Sequence, residues 1–245
     1  MDGIRWLLFD VLGTVVDEGG SLREDAAAAL ASAGGSVGAG SVGAGTAGAG
    51  TAGAGAAALV AAWLQRHDEL IGQIRSGSAP WRPNDALRRA ALADAAAATG
   101  YAELPAAVMA ELSLAGHRLR PWPDSAAALQ VMRASRTVIA LSNATAAELV
   151  SMSAAGGLAW HGVVSAELAR AYKPDPRVYR LALDLLGLDP GRTMMVAAHP
   201  WDLRAAAAQG LRTAYVARPG EGGAADDDFD IRAGSLAELA SLSAR

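Results

Sequence analysis

Four places along the chain carry side chains fit for chemistry: Asp10 with Thr14, Ser142 with Asn143, Lys173, and Asp202. Two carboxylates, an ammonium, hydroxyls and an amide suffice for a small-molecule site. A lysine can neutralise adjacent carboxylates and keep one of them ionised. Hydroxyl and amide groups can anchor oxygen atoms by hydrogen bonds. Lys173 stands apart because the 21 basic residues comprise 20 Arg and a single Lys. Each residue also has a plain structural reading. Asp10 can cap a turn, Ser142 and Asn143 can form one, Asp202 can cap a helix, and Lys173 can sit on the surface. His67, His117 and His161 show no metal-ligand spacing and read as surface or packing residues. The chain has no Cys, which removes disulfides, thiolate metal sites and cysteine nucleophiles together.

The elements that must position these groups are legible as alternating patterns. Ile4–Asp10 reads as a buried strand ending in an acid, and Val11-Leu12-Gly13-Thr14 turns the chain. Strands follow at 137–141, 162–165, 193–198 and 213–216. Helices at about 124–134, 145–155, 176–186 and 202–209 separate or follow them. Strands alternating with helices predict a parallel, doubly wound α/β sheet. In such a sheet, ligands bind beyond the strand C-terminal ends. Asp10, Ser142, Asn143, Lys173 and Asp202 all lie at such ends or just past them. One crevice should collect them.

Residues 22–118 lack convincing strands and read as an all-helical insertion, with helices at 22–33, 56–74, 85–99 (capped by Asn84 or Asp85) and 105–118. Within it, 34–57 is a low-complexity Gly/Ala/Ser/Thr tract with a five-residue echo. GxGxxG matches begin at Gly38, Gly43 and Gly48, and a GxSxG match runs from Gly34 to Gly38. Both motifs need a strand before and a helix after. That frame is missing, so both are rejected, and a flexible loop is expected.

The composition bounds the rest. The chain has 245 residues, 52% of them hydrophobic, and a net charge of −4. Alanine inflates the hydrophobic share, yet this length buries roughly 70–75% of the unfolded surface without a staple. The negative charge argues against nucleic acid or an anionic membrane as partner. No apolar run approaches the ~18–20 residues of a membrane span, and none resembles a secretory signal. A soluble, cytoplasmic protein is expected, and a homodimer is compatible with the sequence.

With these residues in place, the chain resembles the haloacid dehalogenase superfamily. Asp10-Val11-Leu12-Gly13-Thr14 looks like its first motif and Leu141-Ser142-Asn143 its second. Ala171-Tyr172-Lys173-Pro174-Asp175-Pro176 looks like its third, and His199-Pro200-Trp201-Asp202 its fourth. The resemblance covers nearly the whole chain outside the Gly/Ala tract. It implies a Rossmann-like core at 1–16 and 119–245, with a helical cap domain at 17–118. The context of Lys173 and of Trp201-Asp202 is most similar to the type II, L-2-haloacid dehalogenases. The resemblance implies Asp10 as nucleophile, with Lys173, Asp202 and Thr14 beside it in the catalytic set. Ser142 and Asn143 would bind the substrate carboxylate, and Leu12, Trp201 and His199 would line the substrate site.

The departures from the family pattern are informative. Phosphatases of this superfamily carry Asp where Leu12 stands, as the general acid for an alkoxide leaving group. Ala198 replaces an acid that would help hold Mg²⁺, which prefers near-octahedral oxygen ligation. A halide needs neither, so carbon–halogen cleavage without metal or cofactor is expected, on a small 2-haloalkanoic acid. The dehalogenases themselves carry Tyr at position 12, Arg directly after a cap Trp where Leu64 follows Trp63, and Ser and Asn at 197 and 199. Arg66, about one turn past Trp63, is the candidate replacement cation. Two other readings compete: a Mg²⁺-dependent phosphatase with a displaced acid, and a non-catalytic small-molecule binder.

Overall fold

The computed structural model describes residues 1–36, 49–223 and 228–243. In chain order they form β1 (Trp6–Phe9), β2 (Val16–Asp17), α1 (Glu18–Ser36), α2 (Ala49–Arg75), α3 (Asn84–Ala98), α4 (Ala106–Ser113), β3 (Arg120–Pro121), α5 (Ser125–Arg133) and β4 (Thr137–Ser142). Then come α6 (Ala146–Gly156), β5 (Gly162–Ser165), α7 (Pro176–Leu186), β6 (Thr193–Ala197), α8 (Pro200–Ala207), β7 (Arg212–Val216), β8 (Ile231–Ala233) and α9 (Leu236–Ser243). Two compact units result, Met1–Asp17 with Leu119–Arg245, and Glu18–Arg118. Among the described residues no helix is long and apolar enough to cross a membrane.

The first unit is built on six parallel strands in the order β5-β4-β1-β6-β7-β8. From β1 the chain steps outward through β4 and β5, then returns to lay β6 on the other side of β1. The strand order therefore reverses between β1 and β6, and the loops leaving these two strands open a crevice at their C-terminal ends. Leu7, Leu8, Phe9, Ala140, Leu141, Met195, Val196 and Ala197 have no exposed surface. Such unbroken apolar runs suit strands covered on both faces, where alternation would place polar groups in the core. A two-stranded ribbon of β2 and β3, the edge strand β8 and helix α9 are further elements that the sequence pattern did not reveal.

Local signals fix the helices that flank the sheet. Thr145 and Glu148 form a reciprocal capping box at the start of α6, and Gly157 ends it in the left-handed region. Asp175 accepts from the Arg177 amide and Pro176 opens α7, which Gly187 closes. Val178, Tyr179, Ala182 and Leu183 on α7 pack into the core beneath the sheet. At α3 the expected cap is corrected: Pro83 holds that position without a side-chain bond. Asn84 instead bonds the buried His67 at 2.9 Å.

The helical unit packs α2 on α1 and α3 around Leu59, Val60 and Trp63. The Trp63 indole N–H donates to the Arg88 carbonyl at 2.8 Å, and the buried Arg88 guanidinium pairs with Glu18. The expectation of a loop over 34–57 is overturned at both ends, because α1 runs through Ser36 and α2 begins at Ala49. Alanine has the highest helix propensity, and extending a helix already anchored by packing adds one hydrogen bond per residue fixed. Ala56, inside the tract, is buried. Residues 37–48 of the tract lie outside the described residues.

Candidate active site

The nucleophile candidate stands at the strand-order reversal. The Asp10 amide continues the ladder to the Val196 carbonyl at 2.9 Å, so the side chain is set by the sheet. Past it the chain turns through Gly13, whose φ of +75° lies in the left-handed region. Two long side chains pin the turn: the Trp122 indole donates to the Gly13 carbonyl at 2.9 Å, and Arg218 Nε to the Thr14 carbonyl at 2.8 Å. Thr14 Oγ1 accepts the Ala198 amide at 2.9 Å and donates to Asp10 Oδ2 at 2.7 Å. Position 198 thus contributes its backbone. It has no carboxylate to offer, and the described residues contain no cluster of three or more potential metal ligands of the His, Asp or Glu type.

Lys173 bridges the two buried carboxylates. Its Nζ lies 2.8 Å from Asp10 Oδ1 and 2.6 Å from Asp202 Oδ2. Its backbone amide donates to Asn143 Oδ1 at 2.8 Å, which ties the end of β4 to the lysine. Burial works against the Lys173 charge, but the facing charges of Asp10 and Asp202 outweigh it and raise its pKa. For Asp10, burial is opposed by the Lys173 ammonium and by His199, and the carboxyl is held well below the ordinary range. Asp202 goes the other way: burial, with Asp10 nearby, raises it despite the lysine. It also accepts from the Tyr179 hydroxyl. Two carboxylates pushed apart in this way are suited to different duties. Asp202 is the third residue of α8, so it does not cap that helix.

His199 completes the site. Its Nδ1 lies 2.9 Å from Asp10 Oδ2 and its Nε2 2.9 Å from Glu221 Oε2. Burial disfavours the imidazolium, yet the bonds to the two carboxylates push its pKa up to about 10. Trp201, which is 41% exposed, stacks on the ring at 5.5 Å between centroids.

The structure thus brings together Asp10, Thr14, Asn143, Lys173, His199, Trp201 and Asp202. Ser142, at the end of β4, is fully buried, and its hydroxyl accepts from the Ala144 amide at 3.2 Å. Leu12 is half-buried in the turn after Asp10. Arg66 lies in the helical unit, where Glu69 and Asp94 hold its guanidinium at 3.0 and 2.7 Å. Sequence reasoning missed Glu221 and Tyr179. Glu221 follows β7, so the rule that collected the other residues, a polar group just past a strand end, applies to it as well. Tyr179 occupies a core position of α7 and gives no such signal.

Residues 4–210 match the family model of the haloacid dehalogenase-like hydrolases. The chain belongs to that family. Among curated proteins it is 33% identical over 105 residues to (S)-2-haloacid dehalogenase 4A of Burkholderia cepacia, and the match covers 42% of this chain and 46% of that protein. It is 32% identical over 112 residues to (S)-2-haloacid dehalogenase of Xanthobacter autotrophicus, over 45% and 44% of the two chains. The matched segments thus span about half the length of these curated relatives or less. A solved L-2-haloacid dehalogenase superposes with a TM-score of 0.84 at 36% identity, covering 99% of this chain and 100% of the other. A defluorinating L-2-haloacid dehalogenase superposes at 0.81 and 31%, covering 99% and 96%.

Proposed function

We propose that the chain hydrolyses the carbon–halogen bond of a small 2-haloalkanoic acid through an aspartyl-ester intermediate. The observation that carries this reading is the buried Asp10–Lys173–Asp202 array: an ionised nucleophile with a fixed counter-charge and, at position 12, leucine in place of a second acid. Asp10 attacks the halogen-bearing carbon; its oxygen–carbon bond forms as the halide departs with the bonding pair. No proton is needed for that departure. Water then attacks the Asp10 carboxyl carbon. Asp202, its carboxyl pKa raised, receives the water proton. The ester oxygen leaves with the product and takes a proton from Lys173, which Asp202 replenishes across their 2.6 Å contact. Ser142 and Asn143 anchor the substrate carboxylate, and the inserted helical unit serves as the cap domain. The likeness to L-2-haloacid dehalogenases over nearly the whole chain supports the substrate class.

The test is halide release from 2-chloropropionate by purified protein, with and without excess EDTA, beside a phosphate-ester panel with Mg²⁺. Release that persists in EDTA and vanishes in Asp10→Asn is the expected result. Robust Mg²⁺-dependent phosphate release would overturn the reading in favour of a phosphatase. Silence on both panels would favour a binder.

A further inference from the structure

The two oxygens of Asp10 are not equivalent. Oδ1 accepts a single hydrogen bond, from Lys173, and keeps a lone pair for attack. Oδ2 accepts two, from Thr14 Oγ1 at 2.7 Å and from His199 Nδ1 at 2.9 Å, and both of its lone pairs are occupied. Both donors are oriented from behind. The Ala198 amide fills an acceptor site of the Thr14 hydroxyl, so the Thr14 proton points at Oδ2. A carboxylate faces each ring nitrogen, so the ring is held as the imidazolium, with Nε2–H donated to Glu221 and Nδ1–H to Asp10, while Trp201 stacks on it. With each imidazole N–H spent on a carboxylate, His199 has none left for a departing halide.

We propose that Oδ1 is the attacking atom, while Thr14 and His199 form an oxyanion hole around Oδ2 for the hydrolytic half-reaction, with Glu221 as the positioning residue of His199. The inference rests on the aspartyl-ester reading. After alkylation, Oδ2 is the ester carbonyl oxygen. When water adds to the carboxyl carbon, the carbonyl π pair moves onto Oδ2, and the charge develops between two donors already in place. The pair returns as the carbon–Oδ1 bond breaks. Oδ1 departs as the product hydroxyl, and Asp10 regains a carboxylate made of Oδ2 and the water oxygen. The donors lose part of their partner's charge on alkylation and recover it in the tetrahedral intermediate, so they favour hydrolysis selectively.

The experiment is rapid-quench halide release from 2-chloropropionate by wild type, His199→Leu and Glu221→Gln, with mass spectrometry of the Asp10 peptide. For His199→Leu, which has no donor, a burst of halide at nearly the wild-type rate is expected. An accumulating Asp10 ester should follow, with hydrolysis slowed about 10²–10³-fold, as for loss of one oxyanion donor. Glu221→Gln should show the same pattern with a smaller loss. Slow first-turnover release without ester in both variants would overturn the oxyanion assignment while leaving the dehalogenase reading intact. No halide and no adduct from wild type would overturn both. Circular dichroism checks folding, and if His199→Leu unfolds, the burst or its absence in Glu221→Gln decides.

Discussion

The carboxylate of Glu221 occupies the space that a side chain on Gly13 would need: a Cβ built there would lie 2.7 Å from Oε1 and 2.8 Å from Cδ. Gly13 follows β1 in the turn just past Asp10, the proposed nucleophile, and Glu221 follows β7, two strands away in the sheet. The missing side chain lets Glu221 come in against the turn and reach His199. Glycine is thus required here twice, by its positive φ and by this close approach.

Gly13→Ala should therefore do more than strain the turn. Placing an L-residue in the left-handed region costs about 1–2 kcal/mol, which for a domain of this size lowers Tm by roughly 2–8 °C. The displaced Glu221 should also leave His199 loosely held. Differential scanning calorimetry with rapid-quench halide release would check both effects. The expected pattern is a moderate fall in Tm and a larger fall in ester hydrolysis than in the first halide burst. Equal loss in both steps would show that the turn itself, rather than Glu221, transmits the damage.

Most of the site was legible because its residues sit in short local patterns at strand ends: an acid after an apolar run, Ser142-Asn143 after another, a lone lysine before a proline. The sheet was legible because buried parallel strands are unbroken apolar runs. Glu221 gave only the weaker signal of following β7, because its role shows only in its contact with His199, 22 residues earlier in the chain. The Gly/Ala tract failed for a different reason. Composition cannot distinguish a glycine that leaves room for a neighbour from one that faces solvent, and Gly53 and Gly55 are such a pair.

On α2, a Cβ at Gly55 would lie 2.0 Å from the Tyr101 hydroxyl oxygen, whereas one at Gly53 would meet nothing within 4 Å. Alanine at an open helical position is worth about 1 kcal/mol over glycine. Gly53→Ala should raise Tm by about 2–4 °C. In Gly55→Ala the tyrosine must move, and overpacking of about 1–3 kcal/mol cancels or reverses the gain. Thermal melts of the two single variants provide the comparison. Equal stabilisation of both would mean that Tyr101 yields freely.

Lys173 is the only charge compensation between two buried acids that the described site provides from a side-chain ammonium. Lys173→Met preserves the length and removes the charge, leaving Asp10 and Asp202 to face each other. Breaking a buried pair in this way costs about 3–5 kcal/mol, and the Asp10 carboxyl should move up as its counter-charge is lost. The expected outcome is a strongly lowered denaturation midpoint at neutral pH that partly recovers in mild acid, where one carboxylate takes a proton. Halide release should be abolished. Wild-type stability in the variant would show that the acids repel less than their burial implies.

The imidazolium of His199 contributes to the alkaline side of the stability profile. Its pKa rises from 6.5 to about 10 on folding, so between those values the native state holds a proton that the unfolded chain has released. The stabilisation is fully present below about pH 6.5, and it declines as pH rises toward 10. The slope of unfolding free energy against pH is therefore negative there, approaching about 1.4 kcal/mol per unit for one proton. Asp10 has the opposite sign: its depressed pKa contributes stability above the ordinary carboxylate range and loses it in acid. Asp202 and Lys173 have raised values of their own, so the His199 contribution must be isolated by difference. Urea denaturation of wild type and His199→Gln at intervals from pH 6 to 10 provides that difference. Wild type should lose stability faster than the variant across this window, and parallel curves would mean that His199 is neutral in the folded protein.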